Sequence, residues 1–262
     1  MSLLPSINKF DHGGYYQPSN DLLTFYCMIP KNASSWISEV MVNSGWLEAT
    51  IETCFSHDQN WEERYHQHKM FPVVDNLIVV LRDPVERWIA GIAQYISGYI
   101  LNSHWYDRDQ FSHGYTGQYI VGKSNFLEGV ITGEQFVKNY NPVVERLLFD
   151  QIAFDDHTQS QSWFVNYYKT KTYTWFYLNH NFQDIFLHHF RAVNFKDAQA
   201  TNYNRGDDNP DIRIIRNFLR KQIAEKPYLR NNIERYYKDD YDLLQSANFV
   251  YHSDEEIKKF LK

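Results

Sequence analysis

The stretch LLTFYCMIPKNASSWISEVM, residues 22–41, decides how this chain folds. Its first eight residues are mostly apolar, have the length of a buried strand, and stop at Pro30. Apolar residues then recur at helical spacing, with Ser34 or Ser35 able to cap the helix and Gly45 placed to end it. The stretch therefore predicts a strand, a short loop and a helix in direct succession.

A second stretch, LIVVLRDPVERWIAGIAQYI at residues 77–96, repeats this order. Its β-branched run predicts a buried strand, with Asp83 as the N-cap and Pro84 as the first residue of the following helix. Two such units with fully apolar strands predict a three-layer α/β fold, in which helices flank a central parallel β-sheet. Ligands of such sheets gather at the carboxyl ends of the strands, where both loops open.

Beyond residue 100 the sequence pattern predicts mostly helices. Helices are predicted near residues 134–150, 158–169, 181–190, 210–224 and 227–244, and a further strand near 173–177. Residues 100–125 have no period and predict a long loop of the kind that often covers a site. No repeat or linker composition interrupts the chain, so we expect a single domain over residues 1–262.

Composition narrows the kinds of partner. The formal charge of −6 disfavours nucleic acid, although a local basic pocket could still hold one compact anion. An aromatic content of 17% exceeds what a core requires and favours a cleft for sugars or flat organic molecules. We therefore expect a small-molecule or glycan partner, while the oligomeric state stays open.

Cysteine usage and hydropathy bear on the compartment. Cys27 and Cys54 are the two thiols of the chain, which disfavours a disulfide framework and favours a reducing compartment. The first eleven residues lack a basic run followed by an apolar run, and no window approaches the roughly 20 apolar residues of a membrane span. The sequence thus predicts a cytoplasmic protein without a membrane partner.

The loop between the first strand and helix has the features of an anion site. Backbone N–H groups and the dipole at a helix start favour a negative charge, and small residues let the backbone wrap it. Lys31 adds a point charge, and the hydroxyls of Ser34 and Ser35 add donors. A tetrahedral phosphate or sulfate could therefore be enclosed on several sides.

Residues 30–35, Pro-Lys-Asn-Ala-Ser-Ser, resemble the 5′-phosphosulfate loop of the sulfotransferase superfamily, in its carbohydrate (Golgi-type and uronyl-like) branch. That loop reads Pro-Lys-x-[Ala/Gly]-[Ser/Thr]-[Ser/Thr]. Residues 82–90 are similar to the family's second signature, Arg-x-Pro-x-x-Arg-x-x-Ser, except that the serine is Ala90. Ser97 is a possible substitute, and residues 157–163 and 233–241 are weaker matches to the same branch.

The resemblance implies a P-loop-like fold and a metal-independent sulfotransferase, with 3′-phosphoadenosine 5′-phosphosulfate (PAPS) as co-substrate and an acceptor hydroxyl on a carbohydrate. It implies that Lys31 is catalytic, that Arg82 reads the 3′-phosphate, and that Arg87 is structural. The implied donor-binding residues are Lys31, Asn32, Ala33, Ser34, Ser35, Trp36, Arg82 and Arg205.

The acceptor hydroxyl needs a general base. His66 and His68 would share one face of an extended segment, and a similar histidine pair precedes the second loop in some uronyl-type sulfotransferases. We select His68 as the base, with His66 as its neighbour in the site. His57 and the pair at 62–63, Glu-Glu, are rival bases.

Two other functions stay open. A divergent nucleotide kinase or NTPase would need Mg²⁺, and the chain lacks the Walker loop G-x-x-x-x-G-K-[ST]. An inactive glycan-binding module of the same fold is kept open by Ala90. A metal site is a weak interpretation, since neither His66/His68 nor the pair at 188–189 has a clearly spaced Cys, Asp or Glu partner.

Overall fold

The computed structural model describes residues 14–16, 24–49, 73–97, 132–154, 157–192 and 209–250. Their contacts form two compact units. The helical unit draws its described residues from Asp83–Ser160 and Asn204–Tyr241, and the sheet unit from Asp11–Arg82, Gln161–Tyr203 and Asp242–Lys262. The single domain over residues 1–262 stays a prediction.

The sheet unit contains a mixed sheet whose strands run in the order β3-β1-β2-β4-β5. The strands are β1 (Gly14–Tyr16), β2 (Thr24–Cys27), β3 (Leu47–Ala49), β4 (Val73–Leu81) and β5 (Lys169–Tyr177). β2, β4 and β5 are parallel neighbours, whereas β1 pairs antiparallel with both β2 and β3. The predicted α/β fold with parallel central strands is confirmed, and the antiparallel strands were missed because three residues carry almost no period.

The register places the carboxyl ends of β2 and β4 at one edge of the sheet. Tyr26 lies opposite Ile78, so β2 ends close to the level at which β4 ends. Along the other side of β4, Leu81 lies opposite Tyr177. The two strand-to-helix loops singled out by the sequence therefore start at neighbouring points on that edge.

One face of this sheet carries a buried aromatic core. Its helices are α1 (Ser34–Asn43) and α6 (Phe182–Ala192), and the same unit holds the short α5 (Gln161–Asn166). The Trp36 ring of α1 lies edge-on to Phe182 and Phe186 of α6, at 5.8 Å from each. The sheet contributes Tyr15, Tyr26, Ile78, Val80 and Phe176 to this core.

The helical unit contains α2 (Pro84–Gln94), α3 (Gly133–Asn139), α4 (Pro142–Gln151), α7 (Pro210–Glu225) and α8 (Pro227–Tyr236), while α9 (Lys238–Ser246) includes residues of both units. The single helices predicted near 134–150 and 227–244 are each two helices. Pro142 starts a new helix in the first case, and Tyr237 separates the helices in the second. Among the described residues, no helix combines the length and apolarity that crossing a membrane requires.

Two helix ends match their sequence signals. Asp83 caps α2 by accepting a hydrogen bond from the Glu86 N–H at 2.8 Å, and Pro84 is its first residue. α1 ends at Asn43 with Ser44 as its C-cap, and Gly45 follows with a left-handed φ of 80°. The Trp46 N–H donates to the Met41 carbonyl at 3.0 Å, which is the bond of a Schellman motif.

Candidate functional site

The loop between β2 and α1 has an unusual backbone. Lys31 and Ala33 adopt φ values of 68° and 60°, in the left-handed region that costs a residue with a side chain about 1–2 kcal/mol. Between them, the Asn32 N–H donates to the Ile29 carbonyl at 3.2 Å and closes a turn. Such strained positions persist only where their surroundings hold them, and they cluster at ligand-binding loops.

The start of α1 has no side-chain cap. Ala33 precedes the helix, because its carbonyl accepts the first helical hydrogen bond from the Ile37 N–H at 3.0 Å. The expectation that Ser34 or Ser35 caps α1 is wrong, since both residues lie inside its first turn. N–H groups in the first turn have no acceptor within their own helix, so this end of α1 is suited to an anion.

Asn32 holds the loop to the sheet. Its side chain is 0% exposed, and Nδ2 donates to the Val80 carbonyl of β4 and to Gln161 Oε1, each at 2.7 Å. Among the described residues, its Oδ1 is buried without a hydrogen-bond partner. Because its backbone N–H closes the turn to Ile29, we assign Asn32 to shaping the loop, and the anion donors fall to the residues that follow it.

Arg82 directly follows β4 and contacts the same loop. Its Nη1 donates to the Lys31 carbonyl at 3.0 Å. The ends of two adjacent strands thus bring Arg82 to the backbone of Lys31, and the sequence assigned both residues to an anion site. The described residues contain this pair and the rest of the loop, residues 32–36.

Gln161 joins these two loops, and the sequence analysis assigned it no role. It is the first residue of α5 and is 0% exposed. Its Oε1 accepts from Asn32 Nδ2 and from the Arg82 N–H, while its Nε2 donates to the Arg82 carbonyl at 2.9 Å. Residues 157–163 drew attention as a weak family match, but a contact across 129 residues of sequence has no local signal.

Arg87 and Ala90 lie in the helical unit, on α2. Arg87 is 0% exposed and donates to the Gln159 carbonyl, in agreement with the structural role expected of it. Ala90 is buried. The residue after it, Gly91, has no room for a side chain, because a Cβ there would lie 2.4 Å from the His157 carbonyl oxygen. Ser97 lies two turns beyond Ala90, about 10 Å along a helix axis, so its hydroxyl cannot occupy the place of the missing serine.

Burial acts on both titratable groups of β2. It raises the pKa of the Cys27 thiol. Burial also raises the pKa of the Tyr26 phenol, with smaller contributions from Cys27 and Tyr15. The contact between the two strand ends joins the Arg82 guanidinium to the Lys31 backbone carbonyl.

Several predicted site residues lie outside the described residues: His66, His68, Arg205, and the rival bases His57, Glu62 and Glu63. In the histidine pair on α6, the His189 ring packs edge-on against Phe176. Burial lowers the pKa of His189, and the neighbouring His188 makes a smaller contribution in the same direction. Within the described ranges, no three His, Cys, Asp or Glu side chains are grouped so that they could hold a metal ion.

The sheet and its loop define an α/β protein with a strand-to-helix junction that is suited to an anion. A family model described as the sulfotransferase family matches residues 19–246, and the chain belongs to that family. The matched range includes both loops and Gln161. Neither a search of curated proteins nor a search of solved structures found a match. Membership supports sulfuryl transfer as the general activity, a sulfate donor as co-substrate and a small-molecule or glycan acceptor.

Proposed function

We propose that this protein transfers a sulfuryl group from PAPS to a hydroxyl group of a carbohydrate. The observation that carries the proposal is the meeting of Lys31, Arg82 and the uncapped start of α1 at neighbouring strand ends. Lys31 and Arg82 supply positive charge, and the start of α1 supplies N–H donors. A nucleotide with phosphates at two positions requires such groups at two points. The family match supports the reaction type.

The start of α1 fits the phosphosulfate end of the donor. The backbone N–H groups of residues 33–36 surround the position that a capping side chain would otherwise occupy. Ser34 is half-buried and Ser35 is exposed, so their hydroxyls add donors on two sides. Trp36 contributes its backbone only, because its ring packs in the core between the helices.

Arg82 fits the 3′-phosphate end. A guanidinium has five N–H donors in a planar fork that matches two oxygens of a phosphate, and the bond to the Lys31 carbonyl uses one of them. That bond also orients the fork relative to the loop. Arg205 stays a predicted second ligand of the same phosphate.

The reaction is a displacement at sulfur. The bond from sulfur to the donor's phosphate oxygen breaks as a bond to the acceptor oxygen forms, and the acceptor proton passes to the base, for which His68 is our choice and His66 the alternative. Lys31 stabilises the negative charge that develops on the departing phosphate oxygen. Catalysis then rests on positioning and electrostatics, as in phosphoryl transfer, and we propose that it needs no metal.

The carbohydrate acceptor is proposed from the branch that the two loops resemble and from the 17% aromatic content, which suits a sugar cleft. The charge of −6 favours a neutral glycan over a polyanionic one. Incubation with sulfur-labelled PAPS and separate panels of neutral oligosaccharides, sulfated polysaccharides and phenols tests this step. Labelled phenols with unlabelled sugars would contradict the acceptor assignment.

Calorimetric titration tests the donor site. We expect 3′-phosphoadenosine 5′-phosphate to bind without metal and more tightly than ADP, because Arg82 contacts the additional phosphate. A preference for ATP with Mg²⁺ would point to the kinase instead. If no nucleotide binds while a glycan does, the inactive glycan-binding module replaces the enzyme.

A further inference from the structure

The carboxamide of Gln161 supports the two loops unequally. For Arg82 it accepts from the backbone N–H at 2.9 Å and donates to the backbone carbonyl at 2.9 Å. For the other loop it accepts one bond, from Asn32 Nδ2 at 2.7 Å. Both polar backbone groups of Arg82 therefore bond to this side chain.

The loop that precedes α1 has further support of its own. Asn32 also bonds to the Val80 carbonyl through Nδ2 and to the Ile29 carbonyl through its backbone N–H. The Ala33 carbonyl accepts the first bond of α1 from Ile37. Removing the Gln161 carboxamide would leave these three bonds in place, so the loop should keep its shape better than Arg82 keeps its position.

The carboxamide thereby sets how Arg82 lies relative to the loop. β2 and β4 are adjacent parallel strands, which lie about 4.8 Å apart. One buried side chain, 0% exposed, bonds to the residue that follows β4 and to the loop that follows β2. A buried amide with both ends bonded has few alternative rotamers, because each would leave a polar group unpaired.

We infer that Gln161 is a positioning residue that determines specificity: it holds Arg82 at the spacing from the Lys31 loop that selects nucleotides phosphorylated at both the 5′ and 3′ positions over those with the 5′ phosphate alone. The inference rests on the proposed function. Gln161 itself contacts no ligand in this assignment. It acts through the backbone of Arg82 and through Asn32.

The test compares two nucleotides on the full chain. Calorimetry gives the Kd of 3′-phosphoadenosine 5′-phosphate and of adenosine 5′-phosphate for the unmutated protein, for Gln161→Ala and for Gln161→Asn. The asparagine variant keeps a carboxamide in the buried position but is too short to make all three bonds. In both variants we expect the preference for the doubly phosphorylated nucleotide to fall about tenfold or more, the effect of losing one or two hydrogen bonds.

Gln159→Ala is the matched control, because it removes the same side chain from the same segment. The Gln159 Oε1 accepts from Tyr236 and from the Ser160 N–H, and it takes no part in the contacts of Arg82. This variant should keep the preference of the unmutated protein. Urea unfolding of every variant shows how far each change lowers stability.

The outcomes separate the inference from the function on which it rests. An unmutated protein that binds neither nucleotide, or prefers neither, overturns the proposed function and the inference together. Preference in the unmutated protein that persists in both Gln161 variants overturns the inference alone. So does an equal loss of affinity for the two nucleotides, which would make Gln161 merely structural.

A measurement on the unmutated chain covers the case in which neither variant folds. Amide hydrogen exchange at Arg82 should slow more with 3′-phosphoadenosine 5′-phosphate than with adenosine 5′-phosphate, because ligation of the guanidinium tightens the bond to Gln161 Oε1. Equal protection by the two nucleotides would contradict the assignment.

Discussion

The two strand-to-helix junctions of this protein begin at the same edge of the sheet and differ in how the N-terminus of the helix is capped. After β4, Asp83 supplies a carboxylate that accepts from the Glu86 N–H, and Pro84 takes the first helical position. After β2, Ala33 precedes α1 and offers no side-chain acceptor. The α2 start therefore has an acceptor in its own N-cap residue, and we propose that the α1 start receives an external anion.

This contrast bears on which part of each junction would recognise a ligand in the proposed function. The Asp83 carboxylate already accepts from an N–H group at the α2 start, so we propose that recognition there falls to the side chain of Arg82. The α1 start has no side-chain cap from Ala33, and Lys31 and Ala33 adopt left-handed backbone in the loop before it. We therefore propose that one junction binds its ligand through the backbone and the other through a guanidinium.

The largest expected effect comes from removing the charge at the uncapped junction. Lys31→Ala should lower kcat about 10²- to 10³-fold, because charge on the leaving oxygen loses its stabilisation. The measurement is turnover of PAPS, with urea unfolding to show that the chain stays folded. Lys138→Ala on α3, an exposed lysine outside the proposed site, is the control and should keep full activity. Full activity of Lys31→Ala would remove Lys31 from the mechanism.

A smaller effect is expected from the side chain at the capped junction. Arg82→Lys should weaken binding of 3′-phosphoadenosine 5′-phosphate about 10- to 100-fold, because an ammonium cannot form the planar pair of bonds. Calorimetry should show little change for adenosine 5′-phosphate. Arg230→Lys, an exposed arginine paired with Glu234, is the matched control. Equal weakening for both nucleotides would mean that Arg82 does not read the 3′-phosphate.

Stability should distinguish the two helix starts. Asp83→Ala removes a cap and should lower the free energy of unfolding by about 1 kcal/mol, whereas Ser34→Ala removes no cap bond and should change it by less than about 0.5 kcal/mol. Urea denaturation with a constant m-value provides both numbers. If Ser34→Ala costs as much as Asp83→Ala, the α1 start is capped and the contrast fails.

The last comparison concerns the left-handed residues at the two ends of α1, where we expect changes no larger than that of Asp83→Ala. Ala33→Gly should leave the free energy of unfolding unchanged or raise it by up to about 1 kcal/mol, since glycine adopts φ of 60° without strain. Gly45→Ala should lower it by about 1 kcal/mol from backbone strain alone, because a Cβ there meets nothing within 4 Å. A marked loss of stability in Ala33→Gly would show that the strain at Ala33 is absent.

Several strands and helix ends could be predicted because their sequence signals are local. The apolar runs predicted β2 and β4, Asp83-Pro84 predicted the start of α2, and Gly45 predicted the end of α1. These signals act within one turn or one strand, where hydrogen-bond geometry and backbone preference leave few choices. The family match agrees with what the two loops predicted.

Other features had no such signal. Lys31 and Ala33 are not residue types that favour left-handed backbone, and their conformation depends on the contacts that hold Asn32 in the interior. The serines after Ala33 looked like caps, yet the turn at Asn32 starts the helix one residue earlier than a cap at Ser34 would. Sequence propensity is a weak guide where tertiary contacts outweigh it.

The strand–loop–helix order, the basic residues at the two junctions and the family of the chain follow from the amino-acid sequence alone, because each depends on residues close together in the chain. The contact of Arg82 with the Lys31 loop and the bonds of Gln161 to both loops are visible only in the folded structure. Those contacts join residues far apart in sequence, and they form because burial makes an unpaired amide or backbone group costly.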